Sequence, residues 1–227
     1  MRSEKTKEPA HRSAADAPAA VDELAKKPTH SPPATLRKIV DFVLELDRLK
    51  GVLRKVKPLG LDRYENPAEH SWQIALLAWA LAGHAEPGLD LDRAIAILLV
   101  HDVGEIDTGD VMAFVEHGLE ERKAAESAAA SRIFGLLPGR EGEWMLELWR
   151  EFEAAESPEA RFAHAVDRAM PVLLNLANQG QSWRENDISH ERVVRRVGPP
   201  IRAGCPALWD YLEARLAEAR ERGLFGA

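Results

Sequence analysis

The stretch Leu98-Leu99-Val100-His101-Asp102-Val103-Gly104-Glu105-Ile106-Asp107-Thr108-Gly109-Asp110 joins an apolar run to a cluster of charge. The run reaches back through Ala94-Ile95-Ala96-Ile97 and is apolar nearly all round, the pattern of a central helix in an all-α domain. It ends in a histidine and four carboxylates: Asp102, Glu105, Asp107 and Asp110. Buried charges are stable only when they are paired or hold a metal. The stretch therefore reads as half of a metal site, with the other half supplied by the rest of the chain.

Working outward, helical signals recur on both sides. From Ala34 the residues Leu36, Ile39, Val40, Val43, Leu44 and Leu46 fall near one face of a helix. Residues 51–66 form a polar, basic connection that carries Arg54, Lys55, Lys57 and Arg63. Asn66-Pro67-Ala68-Glu69 is a helix start with an N-cap, a proline in the first helical position and a capping-box acid. It places His70 at the end of the first turn of a helix running to about Gly83. Asp90 caps the central helix, expected over residues 91–104. Asp110 is in a position to cap a short helix, and residues 119–137 predict a longer one.

After the Pro138-Gly139 break, residues 141–155 place Trp144, Leu148, Trp149 and Phe152 at helical spacing. Ser157-Pro158-Glu159 opens a helix to about Asn178 that contains Asp167. A loop at 180–187 holds Trp183, which reads equally as an edge anchor or as a substrate lid. Ser189 caps a further helix that should stop before Pro199-Pro200, and residues 206–222 form the last. No segment alternates as a strand does. The expectation is a bundle of about eight helices over residues 35–227. Residues 1–34, rich in Ala, Pro, Lys, Glu and Ser, cannot bury enough apolar surface and read as a disordered tail.

Composition narrows the function. The chain has 227 residues, 37 acidic and 30 basic, for a net charge of −7, and no long basic stripe. That speaks against a partner that is a nucleic-acid polymer. Cys205 is the single cysteine, so neither an internal disulfide nor a cysteine-rich zinc site is available, and a cytoplasmic setting fits. No apolar run approaches the roughly 20 residues of a membrane span.

His101 and Glu105 are four residues apart and share a helix face. His70, at the start of its own helix, and Asp167, in an otherwise largely apolar helix, are the best candidates for the missing ligands. Two imidazoles and two carboxylates suit one divalent transition metal (Mn²⁺, Co²⁺, Fe²⁺, Ni²⁺ or Zn²⁺) better than Ca²⁺ or Mg²⁺. An ion of this kind lowers the pKa of water toward neutrality. An anionic substrate then needs cations, and Arg54, Lys55, Lys57 and Arg63 are the nearest in sequence. His164, three residues before Asp167, reads as structural, and Asp107 as an outer or surface acid.

The order His70, His101-Asp102, Asp167 resembles that of HD-domain metal phosphohydrolases. The flanks Leu46-Asp47-Arg48-Leu49-Lys50, Arg54, Glu65-Asn66-Pro67-Ala68-Glu69-His70-Ser71-Trp72 and His101 to Asp110 resemble the 5′-deoxynucleotidase branch, the YfbR-like proteins. The resemblance covers about residues 36–180. It implies an all-α homodimer that removes phosphate from deoxynucleoside 5′-monophosphates with one divalent metal. By the same resemblance His70, His101, Asp102 and Asp167 are the metal ligands, Glu105 and Asp110 the catalytic acids, and Arg54 the phosphate contact. Lys55 departs from the pattern, since a tryptophan follows that arginine in the best-known branch; sugar and base preference therefore stay open. Two other readings keep the fold. One is a phosphohydrolase of dNTPs, alarmones or cyclic nucleotides; the other is a non-catalytic nucleotide or metal sensor.

Overall fold

Helix α3 (Leu91–Val100) packs against three other helices in a computed structural model that describes residues 34–115 and 117–226. The expected tail lies outside the described residues, and Ala34–Ala227 form one unit. Ala94, Ile97 and Leu98 have no exposed surface, and α3 packs on α2 (Pro67–Ala80), α6 (Arg140–Ala154) and α7 (Pro158–Ala177). A large-to-small change at a site such as Leu98 costs about 2–5 kcal/mol. One side of α3 stays open, since Leu99 is half exposed, so the helix is not buried all round.

The described residues form an all-α fold. The remaining helices are α1 (Ala34–Asp47), α4 (Glu105–Thr108), α5 (Leu119–Phe134), α8 (Gln181–Glu185), α9 (His190–Gly204) and α10 (Pro206–Glu221). Short 3₁₀ turns at Arg48–Gly51 and Ala82–His84 follow α1 and α2. The capping signals hold. Asn66 Oδ1 accepts from Glu69 N at 3.0 Å while Glu69 Oε1 accepts from Asn66 N at 2.9 Å, closing a capping box. Asp90, Ser157 and Ser189 each accept a backbone N–H at the start of α3, α7 and α9.

Four expectations change. The central helix ends at Val100, and His101–Gly104 continue as turns. Asp110 caps no helix; the described residues after it run irregularly to Gly118, and its side chain serves the pocket instead. Residues 181–185, expected as loop, form the short helix α8. Most notably, α9 runs through Pro199 and Pro200. Each proline removes a helix hydrogen bond, but Val197, Gly198 and Ile201 are buried on the same helix, which packs against α7 and α10. Gly198 lies against the Trp209 ring, where a Cβ would sit 2.8 Å from a ring carbon. Tertiary packing here outweighs local preference.

Candidate metal and phosphate site

Four parts of the chain meet at the end of α3. The capping box fixes the first turn of α2 and sends His70 inward, where it is fully buried. His101 follows the last residue of α3. Its Nδ1 donates to Leu98 O at 2.8 Å, and because a carbonyl only accepts, Nε2 is left as the lone-pair nitrogen when the ring is neutral. Asp167 comes from the buried face of α7. Arg54 comes from the connection before α2, which is pinned by two backbone bonds, Arg54 N to Glu65 O at 2.9 Å and Glu65 N to Val56 O at 2.8 Å.

The side chains converge closely. His70, His101 and Asp102 each offer one ligand atom, all within 4.8 Å of one another. Asp167 Oδ1 is 3.1 Å from His70 Nε2 and 3.7 Å from His101 Nε2. His101 Nε2 lies 3.0 Å from Asp102 Oδ1 but off the line of a hydrogen bond, so this buried atom has no hydrogen-bond partner. An unsatisfied buried nitrogen among two carboxylates and a second imidazole is what a cation would relieve. The mixed nitrogen and oxygen donor set fits a divalent transition metal.

Arg54 Nη1 donates to Asp102 Oδ2 at 2.8 Å and stands 3.8 Å from Asp110 Oδ1. Burial opposes its charge, but Asp102 and Asp110 outweigh burial and hold the guanidinium firmly charged. The same balance sets the ligands. Burial disfavours the charge on His101, yet Asp102 and Asp167 raise it to about 10. Burial also works against Asp102, but His101 and Arg54 bring it down to about 2. Asp167 is held well below the ordinary carboxylate range, with Arg168 and both imidazoles overcoming its burial.

Glu105 and Asp110 behave oppositely. Burial first, then Asp102 and Asp110, push the Glu105 carboxyl up to about 10, and its Oε2 is buried with no hydrogen-bond partner. Asp110 is also raised by burial, against the pull of Arg54. Two glycines shape this end. A Cβ on Gly104 would stand 3.1 Å from Glu126 O, so glycine lets α5 approach the ligand turn. Gly109 has φ of 75°, a conformation easy only for glycine, and it redirects the chain so that Asp110 enters the pocket.

The pocket is about 200 Å³. Arg54, Lys55, Asp102, Glu105, Asp110 and Asp167 line one part of it, and Val111, Met112, Phe114, Trp149, Phe152 and Trp183 another. Lys55 is exposed at this wall, with Nζ 5.6 Å from the centre of the Tyr64 ring. Trp183 is buried and stacks on Phe225 at 4.5 Å, so it is an anchor whose edge also reaches the pocket.

Other candidates go elsewhere. Lys57 bonds Asp62 at 2.6 Å and Arg63 bonds Glu69, so neither joins Arg54 at the pocket. Asp107, two residues from Glu105, points outward to Arg132 at 2.7 and 2.8 Å. His164 Nε2 donates to Phe152 O at 2.8 Å and its ring stacks on Phe152 at 4.0 Å, a packing role.

Sequence reasoning missed Glu65. It is 1% exposed and its Oε2 stands 3.4 Å from both His70 Nδ1 and Arg54 Nε. One carboxylate thus touches a candidate ligand and the candidate phosphate contact. The signal available in sequence was an acid directly before the Asn66 cap, too common a pattern to single out.

The fold and this constellation define a class: the HD domain family pattern matches residues 46–209, and the chain belongs to that family. Within it, the chain is similar to the human protein named 5′-deoxynucleotidase HDDC2, with 30% identity over 154 residues, 66% of this chain and 71% of that protein. The fission yeast (Schizosaccharomyces pombe) 5′-deoxynucleotidase hdd1 is 29% identical over 156 residues, 66% of this chain and 77% of the relative. A crystal structure from Magnetospirillum magnetotacticum, described as a predicted metal-dependent phosphohydrolase, shares 37% identity and a TM-score of 0.79 over 86% of this chain and all of that one.

Proposed function

We propose that this protein is a divalent-metal phosphomonoesterase that hydrolyses nucleoside 5′-monophosphates, deoxynucleotides included, to nucleoside and phosphate. The observation that carries the reading is a buried His/His/Asp/Asp cluster beside one pocket that brings together Arg54, the upward-shifted carboxyls of Glu105 and Asp110, and an aromatic wall. His70, His101, Asp102 and Asp167 would hold the ion. When bound, the ion supplies a Lewis acid and makes water a stronger nucleophile at neutral pH.

The chain's own residues do the rest. Arg54 swings its planar fork from Asp102 to the phosphate oxygens and stabilises the charge that builds on them. Water attacks phosphorus, the P–O5′ bond breaks, and the nucleoside leaves as its O5′ gains a proton. Glu105 and Asp110 divide the proton work, one accepting from water and the other delivering to O5′. Met112, Phe114, Phe152 and Trp183 offer apolar surface to the base and sugar and exclude water. Lys55 stands at the rim to meet the sugar or phosphate.

We also propose that the protein acts as a homodimer in the cytoplasm. Leu36, Val40, Val43 and Leu44 on α1, and Trp72, Leu76 and Trp79 on α2, are large apolar side chains left exposed at helical spacing. Exposed apolar faces of this kind mark association surfaces. Among the described residues no helix is long and apolar enough to cross a membrane.

The test is phosphate release from dNMP, NMP, dNTP and alarmone panels by protein stripped and reloaded with Mn²⁺, Co²⁺ or Zn²⁺. Release from dNMPs is expected. No release from any monophosphate with any of the ions overturns the reading. Light scattering of the wild type and a Val43→Glu/Trp79→Glu variant tests the dimer; a wild-type mass of one chain overturns it.

A further inference from the structure

Trp183 lines the pocket, and the side chain that holds its ring comes from residues 223–226, after α10. The HD family pattern ends at residue 209, so this segment lies outside it. Gly223 ends α10 with φ of 68°, and Leu224 N donates back to Ala219 O at 3.1 Å, the wrap-around bond of a glycine-terminated helix. The chain then passes so close to the start of α8 that a Cβ on Gly180 would overlap the Leu224 carbonyl. Beyond it, Gly226 N donates to Ile188 O at 3.0 Å, and Ile188 N donates to Trp183 O at 2.8 Å. Two backbone bonds in series thus tie the segment to the residue that faces the pocket.

The other side of Trp183 is held from α7. Asn175 is buried, and its Oδ1 accepts from Ser182 N at 3.0 Å and from Trp183 N at 3.3 Å. These bonds place the backbone of Trp183 and leave its ring to packing. Phe225 lies nearly parallel to that ring, with centroids 4.5 Å apart and 15° between the planes. His190 stands edge-on to Phe225 at 5.2 Å. Phe225 is half-buried and is not a pocket-lining side chain, so it can reach a substrate only through Trp183. Trp183 belongs to the apolar wall, with Met112, Phe114 and Phe152. A flat aromatic surface held in one plane favours another flat ring, which a nucleobase has and a bare sugar phosphate lacks.

We propose that Phe225 is a positioning residue for the nucleobase: stacked behind Trp183, it fixes the aromatic wall against which the base packs. The segment after α10 is then part of what makes the pocket favour a nucleotide over a phosphate ester without a base. The proposal rests on reading the pocket as a nucleotide site.

Two arms test it on metal-loaded protein. Phe225→Ala removes the side chain, Phe225→Leu keeps apolar volume without a ring, and Phe225→Tyr keeps the ring. The first arm compares 2′-deoxyadenosine 5′-monophosphate with 2-deoxyribose 5-phosphate, which lacks the base. The ratio of their kcat/KM values should fall about fivefold in Phe225→Ala and Phe225→Leu, the size expected for a lost aromatic pair. The fall should lie in KM for the nucleotide and not in kcat, and Phe225→Tyr should keep the wild-type ratio. A merely structural role lowers both substrates together; an unchanged ratio overturns the proposal. The second arm is calorimetric titration with 2′-deoxyadenosine, which has no phosphate to lose. Its affinity should fall by the same factor in the same two variants. If the wild type hydrolyses neither ester, the proposed function fails and the titration alone decides the role of Phe225. Equal affinity in wild type and Phe225→Ala, or no binding by the wild type, then overturns it.

Discussion

The two ends of α3 bury carboxylates in opposite ways. At its start, Arg93 Nε donates to Glu151 Oε2 at 2.9 Å while Ser157 Oγ donates to Glu151 Oε1 at 2.5 Å. Burial would raise Glu151, but these two donors win and lower it. At the other end Glu105 is buried without a hydrogen bond to Oε2 and is raised to about 10. The residue type is the same and both side chains are partly enclosed; the partners differ. A satisfied carboxylate ties α3, α6 and the start of α7 together. An unsatisfied one carries a cost that a structural role does not explain, and it sits in a pocket beside five other acids. The difference separates an ion pair that holds helices from the cluster proposed to take a cation and a phosphate.

The largest effect should come from removing a candidate ligand at the pocket end. Asp102→Ala is expected to cut phosphate release on the order of 10³-fold or more, because the ion contributes several kcal/mol of transition-state stabilisation. Metal content by mass spectrometry should fall with it. Full activity at unchanged metal content would erase the contrast between the two ends. Next comes Glu105→Gln, which keeps the size and removes the acid. A fall in kcat of about 10²–10⁴-fold is expected for a lost general acid or base. Metal content should stay at the wild-type level; loss of metal would instead make Glu105 a ligand.

Much of the pocket end was legible because its chemistry is local. His101, Asp102, Glu105 and Asp110 fall within ten residues, and the Asn66 capping box fixes the start of the helix carrying His70. Asp167 was legible as a charge in an apolar helix face. The rest depends on packing. Glu65 reaches His70 and Arg54 because backbone bonds close residues 54–65 into a loop, and no spacing rule encodes that closure. Asp110 has the residue type and position of a cap, yet Gly109 turns it into the pocket. Pro199-Pro200 read as a stop, yet the contacts of Gly198 with Trp209 and the burial of Ile201 carry α9 through them.

Glu65 offers a sharper cut between the two kinds of carboxylate, since it has features of both. It stands between two side-chain partners, as Glu151 does, but one of them is a candidate ligand. Partners that orient a ligating histidine typically contribute about 10–100-fold in metal affinity. Glu65→Gln should therefore weaken metal retention by about that factor in a chelator competition, and raise KM as Arg54 loses its second anchor. Unchanged affinity would make Glu65 purely a loop anchor.

The smallest effect belongs to the far end of α3. The folded-state pKa of Glu151 lies below its ordinary value of 4.5. Its ion pair therefore stabilises the fold at pH above 4.5, where the unfolded chain is also ionised, and the contribution fades as pH falls through the lower folded value. Arg93 is 40% exposed, so solvent screening keeps the effect small. Glu151→Gln should lower Tm by no more than about 2–4 °C at pH 7. The two melting curves should converge as pH drops below 4.5, and metal content and kcat should not change at any pH. A gap that persists into acid would mean that packing of the side chain, and not its charge, joins α3 to α6. The far end would then differ from the pocket end in shape rather than in how its charge is met.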